Sequence, residues 1–437
     1  MTATPLLAGQ KWSVKLPEGS ADALLLARLA SLQKPLVIFT ETAWHAQRLL
    51  EEIRWLAPDL SVHLFPDWET LPYDHFSPHQ DLISERLATL WQFSMGACDV
   101  ALVAVPTALY RLPPVAYLAA RTFSIKRGQT LNLDAFRAQM TTGGYAHVTQ
   151  VVKPGEYCVR GGLVDLFPMG SLVPYRIDLM DTEVETLRTF DADTQRTLYP
   201  VPEIRMLPAR EFPLDDAGRT SFRENFRERF EGDASRCSLY RDVSNGLAPG
   251  GIEYYLPLFF EETATLFDYI PKNATVCLHQ DAIAAVQSFW ESTHTRWRLL
   301  KGDRANPVLD PAELFLNEEQ FFAGLSQHPR VDLQAGREPA APAALQALYP
   351  FSKPLPAVEI ARRADKPLEK LLEFSQNFEG HVLLVAESLG RRETIGQMLQ
   401  ENGLPIIALN SFAEFLKAGV KAGVKAGVKA GVRPPQG

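Results

Sequence analysis

Cysteine is scarce in this chain. Only four occur in 437 residues, at Cys98, Cys158, Cys237 and Cys277, far apart, with no CxxC pair and no histidine at ligand spacing. That pattern excludes a disulfide framework and fits reduced thiols in a cytosolic protein. Long apolar runs are also missing. Nothing approaches the ~20 apolar residues of a membrane span. The N-terminal stretch MTATPLLAGQKW lacks the charged-then-apolar order of a signal peptide, so a cytoplasmic location is expected. Excess positive charge is absent too. The formal net charge is −8, which opposes non-specific nucleic-acid binding, because phosphate affinity needs concentrated Lys and Arg. A local basic face remains open. The composition, 46% hydrophobic and 22% charged, is that of a globular chain with room for about two to four domains.

The signatures of chemistry are missing as well. A phosphate loop reads GxxxxGK[ST], in which backbone N–H groups cradle phosphates, Lys reaches the outer phosphates and Ser/Thr holds magnesium. The candidate here, Gly19-Ser20-Ala21-Asp22 in LPEGSADALLLARLA, has no Lys and no second Gly. Asp22 would place negative charge where phosphate must sit. After the strand ATVCLHQD, His279-Gln280-Asp281 stands where a paired Asp-Glu would hold magnesium. Both sites read as structural turns. His75 and His79 are spaced i, i+4 beside Asp74 and Asp81. However, Ser77-Pro78-His79-Gln80 fits a capping box, with Ser77 as N-cap and Gln80 at the third helical position. No HExxH or GxSxG motif appears. No cofactor and no metal are expected.

What is present alternates strands and helices. LVIF from Leu36 and SVHLF from Ser61 read as strands flanking the helical stretch TAWHAQRLLEEIRWL, which predicts a parallel sheet covered by helices. CDVALVAVP adds a strand, so residues 1–117 form the first part of an α/β domain. Residues 118–204 turn β-rich, after a helix that ends at Gly143-Gly144. Residues 205–340 return to α/β, with Phe222, Phe226 and Phe230 on one helical stripe. A Pro/Ala-rich linker is expected over 341–366 and a partial α/β domain over 367–416, too short for a full core of its own. The repeat KAGVKAGVKAGVKAGV opens a tail, 417–437, expected to be disordered because Gly opposes helix and a lone Val builds no core.

The informative segment is YCVRGGLVDLFPMGSLVPYRIDLMDTEVETLRTFD, from Tyr157. Side chains alternate across a strand. Tyr175, Ile177 and Leu179 then face a core, while Arg176, Asp178 and Met180 share the other face, with Arg160 nearby. Arg supplies forked hydrogen bonds and Met adapts to imperfect pockets, a pairing suited to docking a protein. The plainer alternative is a solvated sheet face with an Arg–Asp cross-pair.

Three blocks carry a family likeness: DWETLPYDHFSPHQDLISERLATL, GEYCVRGGLVDLFPMGSLVPYRIDLMDTEVETLRTFDADTQRTL and GGIEYYLPLFF. They resemble the N-terminal part of the bacterial transcription-repair coupling factors (Mfd), and the likeness extends over most of residues 10–410. The arrangement is also similar to the excision-repair protein UvrB. The resemblance implies a degenerate helicase-like (P-loop NTPase-type) α/β domain, split by an inserted β-rich α+β domain and followed by a partial small α/β domain. It implies a non-catalytic module whose insertion binds UvrA through Arg160, Arg176, Asp178 and Met180, where Met180 replaces the family's usual Phe. It also implies docking on the factor's own C-terminal translocase module, with RNA polymerase and DNA engaged only through regions absent here. A chain of this extent is expected to be an N-terminal fragment. The alternative is a UvrB-like ATP-dependent subunit that processes damaged DNA. Within this likeness Trp68, Tyr73 and Phe76 are expected to pack the domain or a neighbour rather than stack on DNA.

Overall fold

A fully buried apolar strand and a long apolar–polar helix beside it are what the sequence places after Lys34, and the structure starts from that unit. The computed structural model describes residues 9–335, 343–349, 352–354, 356–359, 366–386, 388–404, 406–422 and 426–430. The chain divides into two compact units. The first comprises Met1–Leu16, Leu29–Leu50 and Leu60–Gln346; the second comprises Pro17–Arg28, Glu51–Asp59 and Ala347–Gly437.

In the first unit the opening strands are β1 (Lys11–Lys15), β2 (Leu36–Thr40), β3 (Val62–Phe65) and β4 (Val100–Ala104). The chain then leaves for β5 (Phe123–Lys126), β6 (Ala146–His147), β7 (Glu156–Arg160), β8 (Leu163–Phe167), β9 (Tyr175–Met180), β10 (Glu183–Phe190), β11 (Thr197–Pro200) and β12 (Glu203–Met206). It returns as β13 (Thr275–His279) and β14 (Arg330–Gln334). The returning strands join the opening ones in one sheet of order β1-β14-β13-β2-β4-β3, in which every pair is parallel. Strands β2 and β4 are buried along their whole length, as parallel strands covered on both faces must be.

The excursion forms its own sheet, β11-β10-β9-β8-β7-β6. Its root is closed by β5 pairing antiparallel with β12, Phe123 opposite Met206. The helix Leu133–Thr142 packs Phe136 and Met140 into the core, and Gly143 ends it as the sequence suggests.

The aromatic segment at residue 65 is explained by one buried ion pair. Arg86 is fully buried. It donates from Nε to Glu211 Oε1 at 2.8 Å and from Nη1 to the Pro66 carbonyl at 2.8 Å. Trp68 Nε1 donates to the other Glu211 oxygen at 3.0 Å. The guanidinium lies 4.3 Å from the Phe65 ring centroid and 5.0 Å from that of Trp68. Removing one partner of such a pair typically costs about 3–5 kcal/mol, because a charge is left buried alone. Trp68 and Tyr73 are buried, as expected, but Phe76 is 76% exposed. The expected capping box is not formed either. The helix is Gln80–Ser94 with His79 as N-cap. Ser77 instead donates to Glu253 Oε2 at 2.8 Å, and Gln80 Nε2 donates to the Ala209 carbonyl at 2.9 Å. Buried long-range partners outcompete the local cap.

In the second unit, β15 (Val382–Ala386), β16 (Ile407–Ala408) and β17 (Ala426–Ala430) form a parallel sheet of order β15-β17-β16. Leu368, Leu371, Leu399 and Leu404 make its small core. The expected disordered tail is corrected here. Helix Phe412–Ala422 runs into the KAGV repeat, and β17 lies within it. Ladder pairing engages backbone groups only, so a repeat of small residues can still occupy a central strand. The rest of that tail and most of the expected linker 341–366 lie outside the described residues, apart from short stretches that include the one-turn helix Ala343–Gln346.

Glu253 yields a pH prediction. Burial, reinforced by the Glu211 charge, pushes its carboxyl up to about 7 from the usual 4.5. A folded pKa above the unfolded one favours the protonated folded state. The contribution is complete below the unfolded value and is lost as pH rises through about 7. Glu253→Gln should therefore stabilise the chain at pH 8, by up to roughly 3 kcal/mol, and do little at pH 5. Urea melts at the two pH values check this; equal effects at both would contradict it.

Candidate partner-binding face

The two hairpin turns at one end of the β-rich sheet set the geometry of the candidate site. Gly161, in the turn between β7 and β8, adopts φ +62°, a backbone state that glycine enters without steric cost. At Gly162 an added Cβ would lie 3.0 Å from the Leu179 carbonyl, so a larger residue would need that strand to give by a few tenths of an ångström. The β9–β10 turn places Asp181 at φ +56°. Arg160 closes β7 and Met180 closes β9, so both lie at this end.

The predicted alternation is observed. Ile177 is fully buried, and Tyr175 and Leu179 pack against the core from the same face. Arg176, Asp178 and Met180 occupy the other. What organises that face is Asp165 on β8, which the sequence reading did not single out. Its side chain is only 1% exposed. Arg176 donates to it twice, Nε to Oδ1 at 2.7 Å and Nη2 to Oδ2 at 3.0 Å. Arg176 Nη1 reaches Thr197 Oγ1 at 3.1 Å and the Gln195 carbonyl at 3.3 Å. Its guanidinium lies 4.9 Å from the Phe190 ring centroid, and the neighbouring carboxylate raises its already high pKa. Arg176 is 17% exposed and Arg160 51%. Arg160 also pairs with Asp165, through Nη2.

The second acid, Asp178, accepts from Arg188 Nη2 at 2.9 Å and from the Thr186 hydroxyl. Arg188 likewise escaped the sequence reading. Three guanidinium groups thus stand over these two carboxylates. Met180 is 65% exposed at its edge. At the opposite end of the same face, Val151, Cys158, Phe167 and Phe190 form a small apolar cluster that stiffens the platform. Alternation in LVDLF held the missing signal. Val164 and Leu166 point inward, so Asp165 had to share the arginines' face, directly across from Arg176.

The phosphate-loop candidates are occupied otherwise. Asp22 is buried at the start of helix Ala21–Leu32 and its Oδ1 accepts from the Ala23 amide at 2.6 Å. Asp281 N-caps the helix Ala282–Leu300, accepting from the Ala284 amide at 3.0 Å. Asp22 thus puts a carboxylate in the first turn of this helix. Among the described residues no cluster of acidic, histidine or cysteine side chains is arranged to hold a metal ion. Nor is any described helix long and apolar enough to cross a membrane.

Comparison with known proteins places this geometry. Residues 123–212 match the UvrB interaction domain, and residues 374–432 match the D3 domain of MFD. The chain therefore falls in the class of proteins carrying a UvrB interaction domain. The particular relation is narrower. The chain is 40% identical to the transcription-repair-coupling factor of Escherichia coli over 397 residues, covering 90% of this chain and 34% of the relative. It is 40% identical to that of Haemophilus influenzae over 385 residues, 87% of this chain and 33% of the relative. With that of Bacillus subtilis the identity is 27% over 277 residues, 60% of this chain and 24% of the relative. The chain corresponds to the N-terminal region of the transcription-repair-coupling factors, and spans about a third of the length of the first two relatives.

Asp165 should prove structural. Asp165→Asn keeps the shape but removes the charge from two charge-assisted hydrogen-bond systems, each worth about 1.5–3 kcal/mol. A loss of roughly that size in chemical denaturation is expected. An unchanged stability would show that the pair contributes nothing to the sheet.

Proposed function

We propose that this chain is a non-catalytic recruitment module for transcription-coupled DNA repair, binding UvrA through the Arg160 face of its inserted sheet. The observation that carries the reading is Arg160 itself. It is half exposed on a rigid two-turn edge, oriented by a buried carboxylate, with adaptable Met180 at the same end. Pre-ordering a guanidinium lowers the entropy lost on docking. The match to a UvrB interaction domain supports the same surface, and the relatives' name supports the repair context. Arg176 and Asp178 have a different role in this reading. They hold the platform, and Arg160 and Met180 meet the partner. In a longer chain the same face would suit docking on a C-terminal translocase module, with RNA polymerase and DNA engaged by regions other than this one.

The parallel-sheet domain is read as helicase-like in descent and inert toward nucleotide. Asp22 lies in the first turn of one helix and Asp281 caps another, where phosphate and magnesium chemistry would need a Lys and a paired acid. The second reading, a UvrB-like ATP-dependent subunit, requires magnesium-dependent ATP binding. Titration with labelled ATP is expected to show no saturable binding, and tight binding would favour that reading.

The test of recruitment is Arg160→Glu, assayed by UvrA pull-down beside the parent chain. Arg160→Glu also sets a carboxylate beside Asp165 and lowers stability, but Arg160 is half exposed and Arg176 still holds Asp165 through two hydrogen bonds, whereas reversing Arg176 would remove the more buried partner. UvrA capture should fall at least roughly tenfold, equivalent to ~1.4 kcal/mol, at a temperature where circular dichroism shows the variant still folded. Undiminished capture would refute the proposed face.

A further inference from the structure

A second site lies in the parallel-sheet domain, at the carboxyl ends of β2, β3 and β4. A cavity of about 470 Å³ opens there. Crevices at the carboxyl ends of parallel strands are where α/β folds bind ligands. Its chemistry is unlike a phosphate site. Glu41 follows β2 and Asp67 follows β3, and among the described residues lining the cavity none is basic. Asp67 is held in place as an acceptor, taking the Glu69 amide at 2.8 Å and the Thr107 hydroxyl at 2.8 Å. The remaining wall is apolar and aromatic, from Leu71, Tyr110 and Phe289.

An independent feature points to a ligand. Thr293, on the helix Ala282–Leu300, also lines the cavity. It is fully buried, and its Oγ1 has no hydrogen-bond partner. Burying a hydroxyl unsatisfied costs about 1–3 kcal/mol, so such a group calls for a partner.

We propose that this crevice binds a primary ammonium on a short alkyl stem. The stem lies along Leu71 and Phe289, the ammonium faces Glu41 and Asp67, and a polar atom or water carried with the ligand meets Thr293. Two carboxylates in a partly dehydrated cleft repel phosphate and attract such a cation. Tyr110 and Phe289 add π faces, to which an ammonium is drawn. The cation has two possible sources, a free polyamine or a lysine side chain presented by a protein. This site is independent of the UvrA reading.

The test uses isothermal titration calorimetry on the full chain with spermidine, N-acetyl-lysine methylamide and inorganic phosphate. At least one of the two ammonium probes should bind saturably and phosphate should not. Tighter binding of spermidine assigns a free polyamine, and tighter binding of the lysine derivative assigns a side chain. Glu41→Gln should weaken the ammonium probe at least fivefold. Ser288→Trp, which fills the cavity from the lining helix, should abolish binding. Circular dichroism confirms that each variant is folded, and Glu41→Gln serves as the decisive arm if Ser288→Trp is not. Absence of saturable ammonium binding, undiminished affinity in a folded variant, or a preference for phosphate would overturn the proposal.

Discussion

One buried carboxylate determines how the inserted sheet presents its charge. Asp165 is almost inaccessible to water and takes hydrogen bonds from both Arg160 and Arg176. A lone carboxylate at that depth would be costly. The two guanidinium groups neutralise it, and in return it fixes them on the strand face. They emerge unequally. Arg176 is committed to its own chain through Asp165, Thr197, Gln195 and the Phe190 ring. Arg160, beside the glycine turn, makes its one bond to Asp165 and is half exposed. Two arginines that look equivalent in the sequence thus divide into one tied within the sheet and one half exposed.

A comparable buried pair ties the opening and closing parts of the parallel-sheet domain. Arg86 and Glu211 stand on either side of the inserted sheet in the chain, and they meet beneath Trp68. Their contact brings together segments that the insertion separates by 125 positions. With β13 and β14 returning to pair beside β1 and β2, it makes the split domain one folded body. The aromatic stretch beginning at Phe65 belongs to this lock, apart from Phe76, which stays at the surface.

Much of this was legible from period and composition. Apolar runs such as LVIF give buried parallel strands, and alternation in YRIDLM assigns the two faces of β9. The change in texture near residue 120 marks the excursion into the second sheet, which β5 and β12 close. What stayed hidden depends on contacts distant in sequence. Ser77 and Gln80 have the spacing of a local cap, yet they bond Glu253 and Ala209, far along the chain. Asp165 and Arg188 gain meaning only once strand register sets them opposite Arg176 and beside Asp178. The KAGV repeat has no local reason to form a strand, and β17 exists through backbone pairing with β15 and β16.

The central claim is that the edge formed by Arg160 and Met180, braced by Asp165, is what UvrA meets. Hydrogen–deuterium exchange on the full chain, with and without UvrA, tests it most directly. The account predicts new protection concentrated in residues 156–180, with the β2 and β4 strands unchanged. Protection confined to the parallel-sheet domain, with 156–180 exchanging as in the free chain, would contradict it.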